Sequence, residues 1–189
     1  MNDGAYGCSN PRLQAAFVTN NKEVLDTISQ AGAQHVQAED GRSQQEIDPG
    51  GTLAASPPSD PLTDLLRRSK TIAVVGLSSN PLRPSHGVSA YMQAHGYHII
   101  PVNPNIEECL GEKAYCSLLD VPENIDIVNI FRRPEFVEEV VDQAIQRKIP
   151  AVWMQEEVIN ERAAEKARHA GILVVMDRCI LKEHRQRFR

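Results

Sequence analysis

The hydrophobic pattern of this chain changes character near residue 60. Beyond that point, short runs of aliphatic and β-branched residues alternate with stretches where apolar residues recur every three or four positions. Such runs predict strands buried on both faces, and such recurrences predict helices with one apolar stripe. Residues 71–75 (Thr71-Ile72-Ala73-Val74-Val75) form the first run, which breaks at Gly76 into a small polar loop. A helix then starts at Pro84, a residue suited to a first turn, keeps Val88, Tyr91 and Met92 on one face, and closes at His95–Gly96. Asp60 and Pro61 predict a short helix ahead of the first strand, with Leu62, Leu65 and Leu66 on its apolar side.

Further strands are predicted at residues 98–102, 125–131, 151–154 and 172–175, with a very short one at Ala114-Tyr115 and a helical turn at 117–120. Pro134 opens a helix whose buried stripe reads Phe136, Val137, Val140, Val141, Ala144 and Ile145. Asn160 caps another, carrying Ala163, Ala164, Ala167 and Ala170 and stopped by Gly171. After Cys179-Ile180-Leu181 the chain ends in a polar, basic helical tail, Lys182 to Arg189, expected to be solvated. The fold class is therefore α/β: a Rossmann-like, doubly wound parallel sheet with helices on both faces. Residues 60–189 are expected to form this domain.

Residues 1–59 read differently. They form a largely irregular N-terminal extension, expected to be flexible with short helices, one of them carrying Val24, Leu25 and Ile28. From Gln37 to Pro58 the composition is Gly, Ser, Pro, Gln and acid, as in linkers. The net charge of −5 over 189 residues is concentrated here. Residues 1–69 hold five basic and nine acidic residues, and the remainder is nearly balanced. Without a basic stripe, nucleic acid is not an expected partner. No apolar run approaches the roughly 20 residues of a membrane span, and no secretory leader is evident, so a cytoplasmic location is expected. The four cysteines show no metal-ligand spacing and are expected to be reduced; no metal site is expected.

In doubly wound sheets, ligands bind beyond the carboxyl ends of the strands, where strand order reverses. That rule selects four loops: residues 76–86, Asn103-Pro104, Arg132-Arg133-Pro134 and Gln155-Glu156-Glu157. Gly76 permits a tight turn; Ser78, Ser79, Arg83 and Ser85 offer hydroxyls and a guanidinium beside a helix N-terminus, which suits a phosphate. The dinucleotide fingerprint is incomplete, because the later glycines are absent and the second strand ends in Asn103 rather than an acid. His86 is the histidine expected at this crevice. It reads as a capping or packing residue more than a catalytic one. Cys179 has no visible base partner, and Arg178 with Asp177 reads as an ion pair fixing the tail.

From about Leu62 to His184 the chain resembles the small bacterial coenzyme A-binding proteins, which share the coenzyme A-binding Rossmann domain of the succinyl-CoA synthetase α subunit. The segments that carry the resemblance are Ile72-Ala73-Val74-Val75-Gly76-Leu77-Ser78, Arg83-Pro84-Ser85-His86, Pro101-Val102-Asn103-Pro104, Ile130-Phe131-Arg132-Arg133-Pro134, Val152-Trp153-Met154-Gln155 and Val175-Met176-Asp177-Arg178-Cys179-Ile180. It implies a coenzyme A or acyl-CoA ligand with phosphates held at Ser78, Ser79, Arg83 and the helix starting at Pro84. It also implies that Asn103, Pro104 and Asn105 border the adenosine, that Phe131, Arg132, Arg133 and Pro134 lie along the ligand, and that Met154 and Gln155 approach the pantetheine arm. Two departures stand out: the chain has Glu157 where the family usually has a glycine, and residues 1–59 are outside the family pattern.

The reading is a binding module with no complete catalytic set and no catalytic residue assigned. The alternatives are an acyl-CoA-dependent or NAD(P)-linked enzyme working through His86 or Cys179, and a coenzyme A-responsive protein that contacts a partner through residues 1–59. No residue motivates an oligomer.

Overall fold

The computed structural model describes residues 60–189, and there the apolar runs become a five-stranded parallel sheet. Its strands are β1 (Thr71–Val75), β2 (His98–Val102), β5 (Ile127–Ile130), β6 (Ala151–Met154) and β7 (Leu173–Val175). They lie in the order β2-β1-β5-β6-β7. Val75 faces Val102 on one side and Ile130 on the other, so β1 and its two neighbours end level with one another. The chain leaves β1 for β2 on one side, then returns to β5 on the other. The switch point therefore lies between β1 and β5, and a crevice opens beyond their carboxyl ends.

Alternation along each strand distributes side chains to two cores. Ile72 and Val74 join Ile99, Ile127 and Trp153 against α1 (Pro61–Arg68), α2 (Pro84–Ala94) and α5 (Ile180–Arg187). Ala73 and Val75 join Val128, Ile130 and Val152 against α3 (Val137–Gln146) and α4 (Glu161–His169). The alanine stripe Ala163, Ala164 and Ala167 is wholly buried, and Asn160 caps α4 by accepting the Ala163 N–H at 2.9 Å.

Several expectations need correction. Ala114-Tyr115 is not a strand; Tyr115 makes a lone parallel bridge to Val102. A small hairpin precedes it instead, β3 (Glu108–Cys109) with β4 (Glu112–Lys113), turning through Leu110 and Gly111. Both turn residues have positive φ, 56° and 79°, as such tight hairpins require. Two-residue polar strands carry no period, which is why the pattern missed them. A 3₁₀ turn over Pro134–Phe136 precedes α3 and turns Phe136 out, so it is 42% exposed rather than part of the stripe. Ala170 follows the end of α4 and is exposed.

Asp60 starts α1 through its carbonyl, which accepts the Asp64 N–H at 3.1 Å. Its carboxylate does not cap the helix. It accepts from the Thr63 hydroxyl and, at 2.7 Å, from the Arg187 Nε, so the basic tail is partly pinned to α1 rather than solvated. Arg178 pairs with Glu183 at 3.6 Å, not with Asp177. Cys109 and Cys179 are free thiols, as expected. The readings of residues 1–59, including the helix at Val24, Leu25 and Ile28, lie outside the described residues.

His184 is the buried polar group that locks α5 to α2. Its Nδ1 lies 3.1 Å from the Tyr91 hydroxyl, its ring stacks on Phe188, and the His95 and Tyr97 rings meet it edge-on. Burial, and then the nearby His95, hold its pKa below the usual value near 6.5. The unfolded chain therefore takes up a proton near pH 6.5 that the folded chain refuses. Stability should fall as pH drops from about 6.5 toward the lower folded value. The urea midpoint is expected to be lower at pH 5.5 than at pH 7.5, with the difference reduced in His184→Leu. An equal difference in both proteins would remove His184 as its cause.

Candidate functional site

Four loops converge beyond the carboxyl ends of β1, β5, β6 and β7 on a cavity of about 1030 Å³. The first begins at Gly76, whose φ of +87° turns the chain sharply out of β1. A Cβ there would lie 2.9 Å from the Phe131 carbonyl oxygen and 3.1 Å from Arg132 Cδ. Only a glycine lets the loops after β1 and β5 approach this closely. The first loop is then folded by its own polar groups. The Ser78 N–H donates to Ser85 Oγ at 3.2 Å, the Asn80 N–H to Ser78 Oγ at 3.2 Å, and the Leu82 N–H to Asn80 Oδ1 at 3.0 Å. This small polar sequence ties the loop to the first turn of α2, whose N-terminal end borders the cavity through Pro84 and Ser85.

Arg83, Arg132 and Arg133 line the cavity, with Arg133 also 3.9 Å from Glu135. Arg132 extends its guanidinium over the Phe136 ring at 5.0 Å, which explains why Phe136 faces out. Three guanidinium groups beside a helix N-terminus form a strongly anion-attracting surface. Carboxylates belong to the same cavity. Glu156, Glu157 and Asp177 line it, and Lys182 holds Glu156 at 2.6 and 2.9 Å. The cavity lining thus carries both signs of charge.

Of the residues expected here, Gly76, Ser78, Arg83, Pro84, Ser85, Phe131, Arg132, Arg133, Pro134 and Gln155 line the cavity. Ser79, His86, Asn103, Pro104, Asn105 and Met154 do not. Met154 lies in the core with no exposed surface, because strand alternation points it at the α3–α4 side. Asn103 braces the site instead. Its Nδ2 donates to the Leu77 carbonyl at 2.8 Å and its Oδ1 accepts the Asn105 N–H at 3.0 Å, so its amide is committed to backbone. Asn105 and Pro104 are exposed beyond it.

Gln155 is 4% exposed and donates through Nε2 to Asn129 Oδ1 at 2.8 Å. This buried amide pair satisfies polar groups inside the sheet and orients Gln155 at the cavity floor. Glu157 has a φ of +67°, the left-handed conformation that glycine adopts without steric cost. Its N–H is held by Asp177 Oδ1 at 2.9 Å, and Asp177 is itself at φ +55°. The glutamate therefore keeps a glycine-like turn, with the neighbouring loop supplying the restraint. Val88, Val158, Asp177 and Cys179 also line the cavity. The strand-end rule, applied to the last strand, is the signal that points to Asp177 and Cys179.

A doubly wound sheet with arginines and a helix N-terminus at its switch point is the arrangement of a domain that binds a phosphate-bearing cofactor. The chain belongs to the CoA binding domain family, which matches residues 70–185. It is 46% identical over 129 residues to the uncharacterized protein YneT of Bacillus subtilis, covering 68% of this chain and 96% of that one. A hypothetical protein of solved structure from Pyrococcus horikoshii is 41% identical with a TM-score of 0.67, covering 68% of this chain and 90% of that one. The ADP-forming acetate–CoA ligase II of Archaeoglobus fulgidus is 28% identical over 102 residues. That stretch is 53% of this chain and 15% of the ligase.

Among the described residues no helix is long and apolar enough to cross a membrane. No group of three or more candidate metal ligands occurs among them either.

Proposed function

We propose that this protein binds coenzyme A or an acyl-CoA in the cavity at the carboxyl ends of the strands, as a cytoplasmic binding module without a complete catalytic set. The observation that carries the reading is the convergence of Arg83, Arg132 and Arg133 on the α2 N-terminus and the Gly76 turn. The cofactor's phosphates neutralise the guanidinium groups, and α2 adds its positive dipole end. Pantetheine, whose amides need a few polar partners on an apolar floor, runs past Phe131 and Gln155 toward Val158 and Cys179. Resemblance to part of an acetate–CoA ligase supports the cofactor class, while the rest of that ligase has no counterpart matched here.

Cys179 and Asp177 share the cavity wall, and no histidine of the described residues lines it. His86 is half-buried on the first turn of α2 and outside the cavity lining.

Titration calorimetry with coenzyme A, dephospho-coenzyme A and NAD tests the proposal. Saturable binding of coenzyme A is expected, with NAD much weaker. Arg83→Ala, at an exposed N-cap position, should weaken coenzyme A binding by about tenfold, as the loss of one charge-assisted contact does. Binding of NAD in place of coenzyme A, or of neither, would overturn the reading.

A further inference from the structure

A second cavity, of about 890 Å³, lies between the C-terminal half of α2 and α5. It is separate from the first: the two share no lining residue. One wall is aromatic, built from Tyr91, His95 and Phe188. Tyr91 and His95 lie with ring centroids 4.0 Å apart, and Phe188 is stacked on the buried His184, so the wall is held from behind. The other wall is cationic, from Lys182, Arg185 and Arg189. Lys182 is already committed to Glu156, but Arg185 and Arg189 make no ion pair with a carboxylate side chain of the described residues. Arg185 holds its guanidinium 5.8 Å from the Tyr91 ring centroid, at the junction of the two walls. Among the described residues no aspartate or glutamate lines this cavity.

Flat rings attract a planar heterocycle by stacking, and guanidinium groups with no carboxylate partner among the described residues attract a phosphate. The combination matches a molecule that carries both. We infer that this cavity is a second binding site, for a nucleotide, with the base against Tyr91 and Phe188 and the phosphates on Arg185 and Arg189. The inference stands on this cavity's own residues, independently of the ligand of the first cavity.

The experiment is calorimetric titration of the full chain with ADP, adenosine and inorganic phosphate, in the wild type and in two variants. Arg185→Glu reverses charge at an exposed position of α5 and should fold normally. Arg83→Ala removes a charge from the first cavity only. A saturable ADP-binding event is expected that is weakened at least tenfold by Arg185→Glu and persists in Arg83→Ala, with adenosine and phosphate each much weaker. ADP binding lost in Arg83→Ala but kept in Arg185→Glu would place the nucleotide in the first cavity and overturn the inference. Absence of ADP binding, or phosphate binding as tightly as ADP, would overturn it too. Failure of coenzyme A to bind leaves these readings intact, so the two proposals fail separately.

Discussion

Trp153→Ala is expected to destabilise the folded protein by about 3–5 kcal/mol, the range for deleting a large aromatic side chain from a close-packed core. Trp153 has no exposed surface and lies on β6, between β5 and β7 in the sheet. Its ring fills the core on the α1–α2–α5 side, and its Nε1 donates to the Arg178 carbonyl at 2.7 Å. The substitution therefore opens a cavity and leaves a carbonyl without its donor in the segment that joins β7 to α5. That segment carries Asp177 and Cys179 into the site, so ligand affinity should fall with stability. Trp153→Phe separates the two effects. It keeps most of the packing and loses only the hydrogen bond, for an expected cost of about 1–2 kcal/mol. Urea denaturation of both variants gives the numbers. A loss below 1 kcal/mol for the alanine variant would show that the core collapses around the gap.

The second large effect is expected at Gly76. Gly76→Ala forces an L-residue into a φ of +87° and drives a methyl group to 2.9 Å from the Phe131 carbonyl oxygen. That contact is with backbone and cannot be relieved by a rotamer change. The positive φ and the forced separation of the two loops together should cost about 2–4 kcal/mol. The separation also moves Arg132, so coenzyme A affinity should drop beyond what the loss of stability explains. Gly87 supplies the control. It lies in the first half of α2, and a Cβ there meets nothing within 4 Å. Gly87→Ala should be neutral or stabilising by up to about 1 kcal/mol, since alanine favours helix. Equal effects of the two substitutions, measured by urea denaturation, would refute the steric argument.

The strands and helices of residues 60–189 were legible because each has a pattern that depends only on its own residues. β6 and β7 are unbroken apolar runs, and α4 shows an alanine stripe between an Asn cap and a Gly stop. The same locality explains the failures. Phe136 has the spacing of a core residue, yet the 3₁₀ turn at Pro134 rotates it outward beneath Arg132. Asp60 has the identity of a cap, yet a guanidinium 127 positions along the chain takes its carboxylate. Met154 follows a tryptophan toward the site in sequence, but the strand's alternation turns its side chain inward.

By itself the sequence determined the class of fold, the family, and the loops from which a site could be built. The fold class and the loops follow from periodicity and from residues such as Gly76 and Asn160, whose backbone roles are local, and the family from the order and spacing of the segments that carry the resemblance. The tertiary structure alone decided the composition of the site. It placed the loop after β7 on the cavity wall and left the Asn103 loop as a brace, because the strand order sets β7 and β2 at opposite edges of the sheet. It also explained how Glu157 replaces a glycine, since its backbone N–H is restrained by an Asp177 that lies twenty residues away in the chain. Such pairings depend on how strands stack across the sheet, and no local pattern records that order.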